Sequence, residues 1–487
     1  MTGALPNKTS KGFKMDYDVV VVGSGAAGLC AGLSANEKGA SVLVVESEGV
    51  VGGSSRLAGG QIMGAGSRVQ RTAGFEDNPD DLFRHYMSLN QWTVEPSVVR
   101  RLCDESGPAI DWLADLGVPF YGQLFYSGDE AVPRDHVPET FGAGIINVLE
   151  TQCRSRGVDI ALGKRVDRLL VDSGRVVGVA AGSDEVRAHT VVIATGGFGA
   201  NPDLLKQHYD RTMPAGDWLW YIGADSSRGD ALGLAKQINA QIIGRNRGLL
   251  LLAPDFGPGL DVYLPGWLVV VNQRGHRFFD EMSPYSTTET AIRAQDGAVY
   301  AIFDDAAKHA AQRSNAAAAK RQQFPGVTDL VEFKWIEPLI DEMVEKGVVH
   351  VAESIEMLAK QIDVPAPNLT GTVERYNDDI AEGRDSFYNK RIDFAKPIAS
   401  PPFYATELRL ALLCMTSTGL RIDAGAHVID ERSQIIPGLF AAGECTGGAL
   451  GDIYVGSGNS YANCVVFGRV AGRAAADESL ARKAIVD

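Results

Sequence analysis

The chain has 487 residues, 45% of them hydrophobic and 22% charged, the balance of a soluble globular protein built from two or more domain-sized units. Its formal net charge of -15 repels phosphate backbones and anionic membrane surfaces, so nucleic acid is not an expected partner. Six scattered cysteines (Cys30, Cys103, Cys153, Cys414, Cys445 and Cys464) lack CxxC or Cys/His spacing, which argues against a disulfide framework and a metal site and fits a reducing cytoplasm.

A polar tail over 1–15 shows no apolar signal region, and no apolar run reaches the roughly 18 residues a membrane span needs. Then come a β-branched run at 17–22, a glycine loop, a helix at 29–38 and a second apolar run at 40–45, which together read as a βαβ unit.

The loop is Gly23-Ser24-Gly25-Ala26-Ala27-Gly28, a GxGxxG pattern, and Glu46 closes the second strand. Gly23, Gly25 and Gly28, with Ala26 and Ala27, let the backbone approach a pyrophosphate at the helix N-terminus, while Glu46 accepts hydrogen bonds from a ribose diol. The pattern predicts a dinucleotide without choosing between FAD and NAD.

A small-residue stretch follows over 51–60, and its Gly53, Ser54, Ser55, Gly59 and Gly60 allow a loop to run alongside an extended cofactor. The segment 166–198 alternates short apolar runs with turns and predicts a β-meander, opening at Val166 and ending on Ala194-Thr195-Gly196. An amphipathic helix is expected at 230–239. From about 250 to 413 the pattern shifts to polar helices with low β content, including an alanine-rich stretch at 306–320 and a charged helix at 335–346. Strand and loop signals then return, and a glycine turn leads into a helix at 459–475.

The stretch Gly438-Leu439-Phe440-Ala441-Ala442-Gly443-Glu444 resembles the strand that brings a carboxylate to the ribityl chain in flavoproteins. With the small-residue loop and the 192–198 turn, it makes the chain similar to the fumarate reductase and 3-ketosteroid dehydrogenase flavoprotein superfamily. The match spans nearly everything after the tail and is strongest at 17–66, 190–200, 269–285 and 416–469. The resemblance implies an α/β fold: a Rossmann-like FAD-binding domain with parallel sheet and β-meander, formed by 16–249 and 414–487, and an inserted α+β substrate or capping domain over 250–413. It also implies FAD contacts at Gly443, Glu444, Gly458, Asn459 and Ser460. Members that bond their flavin covalently carry a histidine in the loop after the acid; Ser54, Ser55 and Arg56 stand there, so non-covalent FAD is expected.

Fumarate-reducing members hold a dicarboxylate with two histidines and two arginines. The resemblance sets Met415-Thr416-Ser417 and Leu252-Ala253-Pro254 at the histidine segments, and Tyr285 and Tyr454 at the arginine positions. Without paired charges for carboxylates, the site implied is a hydroxyl-bearing apolar one suited to a ketone on a hydrophobic skeleton, such as a steroid. In the 3-ketosteroid dehydrogenases two tyrosines at these places act as base and as carbonyl donor. That implies Tyr285 as general base or acid and Tyr454, with the Gly458 N–H, as the oxyanion-type donor. Ser457 or Ser283 is the expected proton relay, flavin N5 the hydride acceptor, and an external acceptor the final electron sink.

Desaturation at C4–C5 is favoured over C1–C2, for which Tyr121 and Tyr126 are weakly anchored candidates for the further tyrosine. Two rivals are an ene-reductase of an unsaturated acid or enone and a flavin-binding redox sensor or partner subunit without turnover. Tyr300, Tyr404 and Tyr461 are expected in the core, Arg277 and Glu281 as an ion pair, the cysteines as packers, and His136 and His276 away from the chemistry.

Overall fold

The structure is a computed structural model and describes residues 16–126, 128, 130–259, 263–310 and 334–486. The expected tail at 1–15 and most of the alanine-rich stretch at 306–320 lie outside the described residues.

The nucleotide-binding half begins with β1 (Tyr17–Val22), α1 (Ala26–Glu37) and β2 (Val42–Val45), where β1 and β2 pair in parallel from Val19 opposite Val42 to Val22 opposite Val45. Both strands are buried almost throughout, as strands covered on two faces must be. The helix starts three residues earlier than expected, directly on the glycine loop. Gly23 has φ +105, and a Cβ there would lie 2.3 Å from Ala194 O; one on Gly28 would lie 1.9 Å from Gly23 O. Only glycine lets α1 begin so close to the strand ends.

The short strands β3 (Ile62–Met63) and β4 (Asp135–His136) pair as an antiparallel ribbon. Next, β5 (Asp159–Ala161) joins β2 in parallel, and β6 (Arg168–Asp172), β7 (Arg175–Ala181) and β8 (Asp184–Ile193) form the predicted meander. The last of these returns to pair in parallel with β1.

The middle of the chain contains β9 (Trp220–Tyr221), β10 (Ile242–Ile243), β11 (Gly248–Pro254), β12 (Val269–Asn272), β13 (Val299–Asp304), β14 (Val349–Ala352) and β15 (Phe403–Thr416). All but β10 form one six-stranded sheet around β15. The low β content expected for 250–413 is therefore corrected. Strand β11 is buried along its whole length, and its leucine run has no alternation from which to tell strand from helix. The borders drawn at 249/250 and 413/414 fall inside β11 and β15, which pair with each other in the six-stranded sheet.

The closing segment supplies β16 (Gly419–Arg421), β17 (His427–Ile429), β18 (Ile435–Ala441) and β19 (Thr446–Gly447). Pairing of β18 with β8 completes the eight-stranded sheet, whose main path runs β17-β18-β8-β1-β2-β5. The final helix, Asn459–Val486, extends past the expected end and packs against α1 and the sheet. One core covers this sheet and its helices, while separate clusters sit under the second sheet.

The Arg277–Glu281 pair forms as expected, at 2.8 Å for both Nε to Oε1 and Nη2 to Oε2. Asp385 accepts from the same guanidinium at 3.0 Å, and Lys390 Nζ lies 3.1 Å from Glu281 Oε2, all four groups buried. The Arg277 guanidinium also lies over the rings of Tyr376 and Tyr388.

Candidate active site

A groove follows the C-terminal ends of the parallel strands, where open α/β sheets bind ligands. Its lining includes Gly23, Gly25, Ala26, Ala27, Glu46, Gly53, Ser54, Ser55, Val166, Ala194, Thr195, Gly196 and Glu444, all singled out in the sequence. Ser47, Lys164, Ser226, Ser227, Asp230 and Cys464 line it too, and no motif marks them.

Several of these groups already have partners. The Ser24 N–H and hydroxyl donate to Glu46 Oε2 at 2.9 and 2.6 Å, and the Ser47 hydroxyl and Glu48 N–H donate to Oε1 at 3.0 and 2.8 Å, fixing the carboxylate at the end of β2. The Ala26 N–H at the start of α1 donates to Ser55 Oγ at 3.1 Å. Ser54 Oγ sits with Tyr221 Oη and Ser227 Oγ at 3.3 and 3.2 Å, tying the small-residue loop to the second sheet. Thr195 Oγ1, by contrast, is buried without a hydrogen-bond partner among the described residues. A dinucleotide fits this groove: the glycine positions leave the backbone bare, the helix N-terminus is at hand, and Thr195 has an unused hydroxyl.

A second cavity of about 270 Å³ adjoins the groove, since Ser54, Ser55, Glu444 and Cys464 line both. Tyr285, Tyr454 and Ser457 meet there, with Gly59, Gly60, Gly458 and Ser460. Tyr285 opens the helix Tyr285–Arg293, and Tyr454 precedes the helix Asn459–Val486. Their rings lie 6.3 Å apart at 36°. The Ser460 N–H donates to Tyr454 Oη at 2.8 Å, while Tyr285 Oη forms no hydrogen bond among the described residues. Burial raises both phenols above their ordinary range, so both are neutral at physiological pH.

The walls are apolar: Leu249, Leu251, Ile222, Cys414 and Met415. Alternation along β11 turns Leu249 and Leu251 inward. Leu252, aligned with a histidine segment in the sequence, packs instead in a cluster with Phe256 and Phe279. Among the described residues no Lys, Arg or His lines this cavity. Glu444 is held by the Thr416 N–H and hydroxyl at 2.9 and 3.1 Å, and burial pushes its carboxyl up to about 7.

Three expected cofactor residues stand outside both linings. Gly28 packs on Gly23 O, Gly443 turns with φ +82 beside Ala27, and the Asn459 amide donates to Tyr86 Oη at 3.0 Å. Tyr126 lines the second cavity, whereas Tyr121 does not, and both are about half-exposed. Tyr461 is buried as expected, yet it also lines the cavity and its hydroxyl has no partner among the described residues. Tyr404 stacks on Phe303 at 5.2 Å in the second sheet's core. His136 is buried beside Ser67, and His276 lies on a separate groove.

Sequence reasoning missed two titratable residues of the cavity. Tyr263 packs edge-on to Tyr285 at 6.0 Å, and Asp135 is brought in by the β3–β4 ribbon. Burial and the like charge of Glu130 push the Asp135 carboxyl up to about 8. No motif surrounds either residue; only tertiary pairing places them.

Comparison with known proteins gives the family. Residues 18–461 match the FAD binding domain family. The chain is 30% identical to fumarate reductase (cytochrome) of Shewanella frigidimarina over 95% of its length and 77% of that protein. It is 29% identical to NADH:fumarate oxidoreductase of Klebsiella pneumoniae over 94% of its own length but spans only 48% of that relative. Among solved structures, 3-ketosteroid Δ4-(5α)-dehydrogenase of Rhodococcus jostii, determined with 4-androstene-3,17-dione, superposes with a TM-score of 0.75 at 28% identity, covering 96% of this chain and 98% of that one. No helix among the described residues is long and apolar enough to cross a membrane. The chain belongs to the FAD binding domain family, within the fumarate reductase and succinate dehydrogenase flavoprotein superfamily, and is an FAD-dependent oxidoreductase acting on CH–CH groups.

Proposed function

We propose that the protein dehydrogenates, or in reverse hydrogenates, the carbon–carbon bond next to the carbonyl of a hydrophobic cyclic ketone, a 3-ketosteroid with reaction at C4–C5 in preference to C1–C2. The observation that carries this reading is the pair of buried phenols in a cavity lined by no Lys, Arg or His among the described residues. Carboxylate substrates are held best by paired cations, and none lines this cavity among the described residues, whereas a ketone needs one donor among apolar walls.

FAD, when bound along the groove, supplies the hydride chemistry; it is held without a covalent bond, because no histidine lines the groove among the described residues. Tyr454 Oη accepts from the Ser460 N–H, which leaves its own O–H to donate to a carbonyl oxygen and to strengthen as negative charge develops there. Tyr285 exchanges a proton with the carbon next to that carbonyl. Because burial keeps it protonated, it serves at rest as an acid, and it acts as a base once its proton has been drained. The electron partner is external to the described residues.

A second reading, reduction of an unsaturated acid, draws on the names of the fumarate-reducing relatives. The two separate in one experiment on the purified, FAD-loaded protein. Anaerobic bleaching of the flavin by a saturated 3-ketosteroid is expected, with no oxidation of a reduced dye by fumarate. The opposite pair of outcomes transfers the assignment to unsaturated acids.

A further inference from the structure

The phenol cavity contains a buried carboxyl that the two-tyrosine chemistry does not use. Asp135 occupies β4, and its ladder with β3 sets its side chain against the cavity that Tyr285, Tyr454 and Ser457 line. The residue is 2% exposed, it lines the cavity together with Ser457, and its Oδ1 has no hydrogen-bond partner among the described residues. Its chain neighbours turn away to partners of their own: Arg134 makes two hydrogen bonds to Asp77, both at 2.8 Å, and His136 lies 2.6 Å from Ser67 Oγ.

The titratable groups that face Asp135 are Glu130 from its own loop, Tyr263, Tyr285 from the helix Tyr285–Arg293, and Tyr454 from the final turn. No cation lines the cavity among the described residues. A carboxylate so placed loses its hydration and gains no opposite charge, while the neutral acid carries a proton to give. A structural carboxylate holding a turn is ordinarily ionised and surrounded by several donors, whereas Asp135 Oδ1 has none among the described residues.

We infer that Asp135 is the proton store of the active site, coupled to the phenol cavity through the hydroxyl of Ser457. The inference rests on the ketone reading for its chemistry and on the geometry alone for its location.

In the hydrogenating direction the Tyr285 O–H bond breaks as a C–H bond forms at the α-carbon, leaving a phenolate. The Asp135 O–H bond then breaks as Ser457 Oγ takes that proton, and the Ser457 hydroxyl's own proton passes through the cavity to the phenolate, re-forming the Tyr285 O–H bond. The resulting carboxylate regains a proton from water at the open side, where Leu57 and Tyr126 are exposed. One proton enters for each proton delivered, and no electrons move in these steps. Desaturation runs the same sequence backward. Asp135 is thus a positioning and proton-holding residue that acts through Ser457.

The test uses the FAD-loaded full chain without substrate. Infrared spectra of wild type and Asp135→Asn are recorded across neutral and alkaline pH. The difference is expected to contain a carboxylic-acid C=O band present in wild type only, lost with a midpoint near 8. In Ser457→Ala, which keeps the carboxyl, the band is expected to move because the hydroxyl proposed to couple to it is gone. Absence of any acid band assignable to Asp135 in wild type overturns the inference.

A second arm measures turnover of a ketosteroid. Asp135→Asn is expected to retain FAD and to lose on the order of 100-fold in kcat, with the alkaline limb of the pH profile gone and partial recovery in Asp135→Glu. An unchanged kcat and profile in Asp135→Asn overturns the inference. If no ketone is turned over by wild type, the substrate reading fails and the infrared arm still decides whether Asp135 holds the proton.

Discussion

Tyr454 and Ser460 are joined by a hydrogen bond of 2.8 Å from the Ser460 backbone N–H to the phenol oxygen. Ser460 lies in the first turn of the final helix, where backbone N–H groups have no partner within the helix. The bond therefore satisfies a helix end and fixes the direction in which the Tyr454 proton points. One contact serves both folding and the proposed carbonyl recognition.

Tyr454→Phe removes the donor and leaves the Ser460 N–H unpaired. Loss of one oxyanion-type donor costs about 100- to 1,000-fold in kcat. Steady-state rates with a ketosteroid, read beside the flavin absorbance of the same sample, are expected to show that loss with FAD still bound.

Tyr285→Phe preserves the ring contacts with Tyr263 and Tyr454 but removes the exchangeable proton. A fall of about 100- to 10,000-fold in kcat is expected for a lost acid–base group. Exchange of the substrate α-proton with deuterated solvent, followed by NMR, is expected to stop in the variant and to proceed in wild type.

Glu444 has its folded pKa raised to about 7 by burial, above the ordinary 4.5. The folded state therefore binds the proton more tightly than the unfolded state, so this group's contribution is most favourable at low pH and declines as pH rises between those two values. Urea titrations of the FAD-free protein are expected to show stability falling across this window, and Glu444→Gln to flatten the fall by up to about 3 kcal/mol.

Arg277→Ala leaves Glu281 and Asp385 buried with Lys390 as the remaining cation of the network. Removing one member of a buried ion pair costs about 3–5 kcal/mol. Chemical denaturation is expected to show that loss, while Arg277→Lys, which cannot form the two-pronged pair with Glu281, recovers only part of it.

The nucleotide half was legible in the sequence because its signals are local. The GxGxxG loop, the acid at the end of β2 and the buried valine runs each depend on residues a few positions apart. Tyr285, Tyr454 and Ser457 were legible through a resemblance at motif-marked places, and the structure brings all three to one cavity.

What stayed hidden depends on distant pairing. Asp135 enters the cavity only because β4 pairs with β3, and Asp385 reaches Arg277, and Lys390 reaches Glu281, from more than a hundred positions along the chain. The second sheet was misread because β11 is buried on both faces and its leucines carry no period. The helix at the chain's end was drawn too short because Asp477, Glu478, Arg482 and Lys483 crowd its later turns, so no continuous apolar stripe marks them.

The most direct test of the central claim is a structure of the FAD-loaded protein with a 3-ketosteroid bound. The account predicts the steroid in the cavity beside Ser54 and Glu444, its carbonyl oxygen within hydrogen-bond reach of Tyr454 Oη and its α-carbon facing Tyr285 Oη. A ligand carbonyl directed away from both phenols, or a dicarboxylate held in that cavity, would contradict it.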